Sequence, residues 1–311
     1  LNKFISALVA PSVLLSLLAL SIVACQSDKS PRVSIPSPKY VVLIGLDGLS
    51  SASLRDTVCA DVMPFLSSLM ERGSWAFHKR SVLPSSSACN WASLYMGAGP
   101  EQHGYNNWGS RRPDFPSDTL TEHGIFPDIY YQIKLARPEA KIAHFYEWDG
   151  IHYVVDTLSV DIERMVKPTE EDVRGIIRTI ITEKPLFTSI IMNHPDHEGH
   201  TIGWKSAEYY SMIHLLDQGI QFLYEALDRA GMADETLFII TADHGGIGRG
   251  HGGTTMDEME TPLVFVGPGI RKGYEIQCTL SICDIIPTVA LMLDVERPHA
   301  WVGRPITEIF E

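Results

Sequence analysis

Tyr40-Val41-Val42-Leu43-Ile44-Gly45-Leu46-Asp47-Gly48 is the stretch that decides the fold. An unbroken apolar run ended by a turn is what a central strand covered on both faces requires, because neither face presents side chains to water. Three further runs read the same way: Leu186 to Met192, Leu237 to Thr241 and Pro262 to Val266. Between them the spacing predicts helices. From Ser206 to Ala230 the residues Tyr209, Ile213, Leu216, Ile220, Leu223 and Leu227 recur at alternating gaps of four and three, one face of a helix closed by Gly231. Thr169 to Thr182, with Thr169 as N-cap, and Asp284 to Leu293 are two more. Strands alternating with helices indicate an α/β fold built on a mostly parallel sheet. Residues 104–156, rich in Gly, Pro and aromatics and weakly patterned, are expected to form loops and small elements that roof a site.

At 311 residues and a formal net charge of −13, the chain can bury a large core and repels nucleic-acid backbones, so nucleic-acid binding is not expected. Lys3, an apolar run from Phe4 through Val23, and then Cys25 read as a bacterial lipoprotein signal with Cys25 as the acylated residue. A membrane-spanning anchor is the alternative, since the run is nearly long enough. The expectation is a signal peptide over 1–25, a proline-containing tether over 26–38 and a folded domain over 39–311. That domain is lipid-anchored outside the cytoplasm, in the periplasm or at the cell surface. Cys59, Cys89, Cys278 and Cys283 either form disulfides, with Cys278 and Cys283 close enough in sequence to pair, or pack as small apolar side chains.

The chemistry-bearing residues follow the predicted strands. Asp47 leaves the first strand in a Gly-flanked turn, where backbone can approach a ligand. Ser85-Ser86-Ser87-Ala88-Cys89-Asn90 opens a helix through Met96 stopped by Gly97, which sets a hydroxyl and free N–H groups where an oxyanion is best stabilised. Asp196 and His200, four apart, suit chelation of one ion, whereas His194, His197 and Glu198 are weaker candidates. Asp243-His244 emerges after the third strand, and His251 follows in a loop too glycine-rich to pack it. Three carboxylates, three imidazoles and one hydroxyl are enough for two divalent ions with open positions for substrate.

From about Lys39 onward the chain resembles the alkaline phosphatase superfamily, and within it the type I phosphodiesterase and nucleotide pyrophosphatase group. The resemblance rests on Gly45-Leu46-Asp47-Gly48, on Pro84 to Asn90 with Gly97 to Gly104, on Pro195 to His200, and on Ala242-Asp243-His244-Gly245. It implies a three-layer sandwich with a mostly parallel central sheet, a catalytic domain over 39–311, and two divalent ions, most readily Zn2+. One ion would be held by Asp196, His200 and His251, the other by Asp47, Asp243, His244 and the Ser87 hydroxyl. Ser87 would be the nucleophile of a phosphoserine pathway, and Asn90 would bind a phosphoryl oxygen. The implied substrate is a small phosphoric ester, diester or pyrophosphate before monoester.

Three departures bear on specificity. Ser87-Ala88-Cys89 replaces the group's threonine, aromatic and proline; Ile191 stands for a tyrosine; His251 follows His244 unusually soon. A sulfatase of the same superfamily is an alternative, but the Cys/Ser-x-Pro-x-Arg context it needs is absent around Ser87 and Cys89. A phosphomonoesterase and a lipoprotein that binds metal without turnover are the others.

Overall fold

The computed structural model describes residues 35–311 apart from Val58. The predicted signal, Cys25 and most of the tether lie outside the described residues. Within them, no helix is long and apolar enough to cross a membrane.

The strands are β1 (Tyr40–Leu46), β2 (Ser74–Arg80), β3 (Ile142–Tyr146), β4 (Ile162–Met165), β5 (Phe187–Met192), β6 (Thr236–Thr241), β7 (Glu260–Val266) and β8 (Tyr274–Glu275). They form one sheet in the order β4-β3-β5-β1-β6-β7-β2-β8. β1 lies parallel between β5 and β6, with Leu43 opposite Ser189 on one side and Ile239 on the other. Only β7 runs antiparallel to its neighbours β6 and β2.

The continuous apolar run of β1 is explained by period-two alternation between two cores. Val41 and Leu43 enter one, beneath the helices Ser87–Met96, Ile129–Ala136 and Ile285–Met292. Val42, Ile44 and Leu46 enter the other, beneath Pro64–Arg72, Glu170–Glu183 and Ala207–Arg229. The result is the three-layer sandwich expected. The helix bounds follow from capping: Ser206 Oγ accepts from Tyr209 N–H and Thr169 Oγ1 from Asp172 N–H, each at 3.2 Å. Gly231 and Gly97 end their helices at φ +70° and +53°, left-handed positions that favour glycine.

One expectation needs correction, and one open alternative closes. Residues 104–156 are more than a roof, because they contain a half-buried helix, Ile129–Ala136, and β3, an interior strand. β3 reads poorly because His144 and Tyr146 interrupt its apolar character, yet both are buried, and His144 Nδ1 lies 2.9 Å from the Tyr130 hydroxyl. The four cysteines are all free, and Cys278 is exposed while Cys283 is buried, so they do not pair.

Candidate active site

Ligands collect where parallel strands end, and β1, β5 and β6 end side by side. The turn after β1 is stitched to the chain leaving β5: Asp47 N–H donates to Met192 O (3.0 Å) and Asp196 N–H to Asp47 O (2.9 Å). Gly48 sits at φ +73°, and a Cβ there would fall 2.8 Å from Asp196 Cα. Its carbonyl accepts from Trp204 Nε1 and the Tyr209 hydroxyl, both at 2.9 Å. Asp47 and Asp196 are therefore fixed by backbone, not by flexible side-chain reach. On the β6 side, Lys79 and Ser81 of the β2 strand and its exit donate to the carbonyls of Ala242 and Asp243. Lys79 is wholly buried, and that burial brings its ammonium down to about 7.

All seven sequence-predicted residues converge in two sets. In the first, Ser87 Oγ is 3.1 Å from His244 Nε2 and 3.4 Å from Asp47 Oδ1. His244 Nε2 is 3.4 Å from Asp47 Oδ1 and 3.3 Å from Asp243 Oδ2. In the second, His200 Nε2 is 3.5 Å from Asp196 Oδ2 and 3.0 Å from His251 Nε2, which lies 3.7 Å from Asp196 Oδ1. Asp196 also comes within 4.8 Å of Asp47 and His244, so it stands between the sets. The His244 and His251 rings stack at 3.8 Å.

The donor chemistry fits divalent cations. His200, His244 and His251 each direct Nδ1 at a backbone carbonyl, of Arg249 (3.0 Å), Gly245 (2.8 Å) and Ser85 (3.0 Å). A carbonyl only accepts, so Nδ1 carries the proton and each Nε2 lone pair faces the site. Two such lone pairs meet 3.0 Å apart at His200 and His251, an arrangement that a shared cation relieves. Asp196 Oδ1 and Asp243 Oδ2 are buried without a hydrogen-bond partner among the described residues. A tetrahedral ion with ligands at roughly 2.0–2.1 Å has ligand–ligand edges of about 3.3 Å, close to the separations around Ser87 and His244.

Electrostatics agree. Burial, then Asp243 and Asp196, push Asp47 far above the carboxylate range; burial and Asp196 do the same to Asp243. Asp196 is raised by burial, partly offset by His244. Burial, with His244 and His200, brings His251 down to about 3. Three acids crowded together and a neutral imidazole are the field that bound cations would cancel.

Asn90 does not face the site. It is fully buried, its Oδ1 accepts from Val82 N–H (2.8 Å), and its Nδ2 donates to Ser86 O (2.9 Å) and Pro84 O (3.0 Å). Its amide braces the loop that carries Ser87, and the expectation that it binds a phosphoryl oxygen is withdrawn. Ser86 occupies the N-cap position without a side-chain capping bond.

Several contacts escaped the sequence reading. Trp91 Nε1 donates to Asp47 Oδ2 at 3.0 Å and aims that carboxylate. Ser85 Oγ donates to Gly253 O (2.7 Å) and accepts from Gly252 N–H (3.2 Å), while its carbonyl holds His251. His194 sits between Glu147 (3.1 Å) and Glu198 (2.8 Å). Burial alone would lower it, but the two carboxylates outweigh burial and hold it at about 9. Only helical spacing, Asp47-to-Trp91 excepted, hinted at any of these partners: Glu198 is four residues from His194.

A cleft of about 740 Å3 opens over Ser87, Asp196, His200 and His251, and Asn106, Asn107 and Asn193 line it. Rat ectonucleotide pyrophosphatase/phosphodiesterase family member 1 (Rattus norvegicus) is 24% identical over 235 residues, 71% of this chain and 26% of that protein. The chain thus spans about a quarter of the length of such curated relatives. Human ectonucleotide pyrophosphatase/phosphodiesterase 5 shares the fold with a TM-score of 0.69 at 15% identity, covering 88% of this chain and all of that one. A phosphonate monoester hydrolase from Silicibacter pomeroyi shares it at 0.63, with 15% identity and coverage of 86% and 75%. The family model for type I phosphodiesterase / nucleotide pyrophosphatase matches residues 41–249, through Asp47, Ser87 and Asp243-His244, and the chain belongs to that family within the alkaline phosphatase superfamily.

Proposed function

We propose that the protein hydrolyses phosphoric esters, phosphodiesters or pyrophosphates foremost, through a phosphoserine on Ser87 at a site for two zinc ions. One observation carries this reading: the Ser87 hydroxyl lies within 3.4 Å of both His244 Nε2 and Asp47 Oδ1, at the first turn of a helix and at the mouth of an open cleft. Asp47, Asp243 and His244 would hold one ion beside Ser87, and Asp196, His200 and His251 the other. Bound there, such ions would favour the serine alkoxide and a hydroxide and offset phosphoryl charge.

Ser87 Oγ attacks phosphorus as its proton passes to solvent, the ester oxygen departs with the bonding pair and takes a proton from water, and phosphoserine remains. The Ser87 N–H, at the helix start, has no carbonyl acceptor in the helix and would be available to a developing oxyanion. Water then attacks the same phosphorus from the opposite side and returns Ser87 and phosphate or a monoester. Trp91 and the Gly48 turn keep Asp47 aimed throughout.

Extracytoplasmic placement through a lipid on Cys25 remains part of the proposal, supported by the sequence alone. The test is parallel kinetics on a phosphate monoester, a phosphate diester and a sulfate ester with metal-stripped and zinc-reloaded protein. Zinc-dependent turnover of the diester above the other two is the expected result; turnover of the sulfate ester alone would overturn the reading.

A further inference from the structure

The cleft over Ser87 carries two features that the seven converging residues do not explain. Trp108 is 64% exposed, unusual for so large an apolar side chain, and it lines the cleft with Trp148. The two indoles stack, with centroids 6.3 Å apart and planes 23° from parallel. Trp148 is itself pressed on backbone: a Cβ at Gly150 would fall 2.1 Å from its ring. Trp108 is thus a backed, pre-ordered surface that spends little entropy on binding. Its carbonyl accepts the Ala88 N–H at 3.0 Å, which ties the indole to the first turn of the helix bearing Ser87. A ring lying on Trp108 is therefore held in fixed relation to the serine hydroxyl.

The second feature is charge. Among the described residues no lysine or arginine lines this cleft, although both are common wherever a protein holds phosphate. Arg111 and Arg112 line an adjoining pocket that shares Asn107 and Trp108 with the cleft, and Arg111 is paired with Asp149 at 2.7 Å and lies over the Tyr153 ring. What the cleft offers beside the indoles is the side-chain amides of Asn106, Asn107 and Asn193. Ala88 and Ile191, at the positions where related proteins carry rings, are buried in the core and contribute nothing to the wall.

We propose that the ester bound here carries an uncharged ring with an apolar face, aromatic or sugar, which stacks on Trp108 while its polar edge meets the asparagine amides. Stacking on an indole is shared by nucleobases and by the apolar face of a sugar. Within the cleft itself a phosphate beyond the scissile one meets no lysine or arginine among the described residues, so a charged group added to the ring brings little affinity. The inference rests on the phosphoryl reading of Ser87 above.

The test measures inhibition constants on the full-length, zinc-loaded chain hydrolysing bis(4-nitrophenyl) phosphate, with methyl phosphate, thymidine 5′-monophosphate, glucose 1-phosphate and glucose 1,6-bisphosphate. At least one ring monoester should inhibit about tenfold better than methyl phosphate, equivalent to about 1.4 kcal/mol. Preference for the thymidine ester assigns an aromatic ring, and preference for the glucose ester a sugar. The bisphosphate should gain no more than about twofold over glucose 1-phosphate. Trp108→Ala should bring the ring-to-methyl ratio to within about twofold, and Trp108→Phe should keep it. Equal constants for methyl and ring esters, or a ratio untouched in Trp108→Ala, overturns the platform, and a tenfold gain for the bisphosphate overturns the uncharged ring. Absence of any hydrolysis overturns the phosphoryl reading and this inference with it.

Discussion

Gly48→Ala is the substitution whose consequence the structure sets most narrowly. Two costs add at this position. The backbone stands at φ +73°, where a non-glycine residue costs about 1–2 kcal/mol. The new methyl would lie 2.8 Å from both Cα and Cβ of Asp196, well inside ordinary contact. The obstructing atoms are backbone and the root of a short side chain, so no rotamer change relieves the clash. Asp196 must withdraw by roughly half an ångström, and it stands between the two sets of donors. Overpacking of this kind costs about 1–3 kcal/mol. The total, about 2–5 kcal/mol, is large against the marginal stability of a domain. Displaced donors cost turnover as well, about a hundredfold per ångström of misplacement and so about tenfold for this shift. The assay is thermal melting of the metal-free protein together with zinc content and kcat/KM of the reloaded protein. The expected outcome is a folded chain of lowered Tm, reduced zinc and turnover down by tenfold or more. Wild-type Tm and zinc content would refute the close approach of the turn to Asp196.

Ser87→Ala should keep at least the zinc held by Asp196, His200 and His251 and lose turnover by about a thousandfold or more, read by stopped diester assays; near-normal rates would remove the serine from the nucleophile role. Ser85→Ala deletes two part-buried hydrogen bonds that hold the His251 loop, at about 1–3 kcal/mol. It should weaken zinc retention on dialysis by about tenfold or more, and unchanged retention would count against Ser85 as the brace of His251. Zinc binding near neutral pH should release protons, measured by calorimetry in two buffers of different ionisation enthalpy. The sign follows from the raised carboxylates: Asp47 and Asp243 hold protons in the metal-free fold, whereas His251, brought down to about 3, is already neutral and gives none. Proton uptake, or none exchanged, would contradict that charge assignment.

The legibility of this chain divides along physical lines. β1, β5 and β6 could be read because strands buried on both faces are written as uninterrupted apolar runs, and the helices at Glu170–Glu183 and Ala207–Arg229 because one-sided burial leaves a periodic stripe. β2 and β3 escaped because Lys79 and His144 interrupt the pattern, each buried on a partner far away in sequence: Ala242 O for Lys79, and Ser189 Oγ for His144. Asp47, Asp243, His244 and His251 stood out because glycine-rich turns leave an acid or imidazole nothing to pack on, Asp196 and His200 by their spacing of four, and Ser87 by its place at a helix start. Asn90 misled for a related reason. An asparagine at a helix start looks available for an oxyanion, and only coordinates show its amide already committed to Val82, Pro84 and Ser86. The Trp91–Asp47 bond joins residues 44 apart, and no local rule connects them.

Anomalous diffraction at the zinc edge, from crystals of the zinc-reloaded chain, tests the central claim most directly. Two peaks are predicted, one among Asp47, Ser87, Asp243 and His244 and one among Asp196, His200 and His251. A single peak, or peaks away from these side chains, would contradict it.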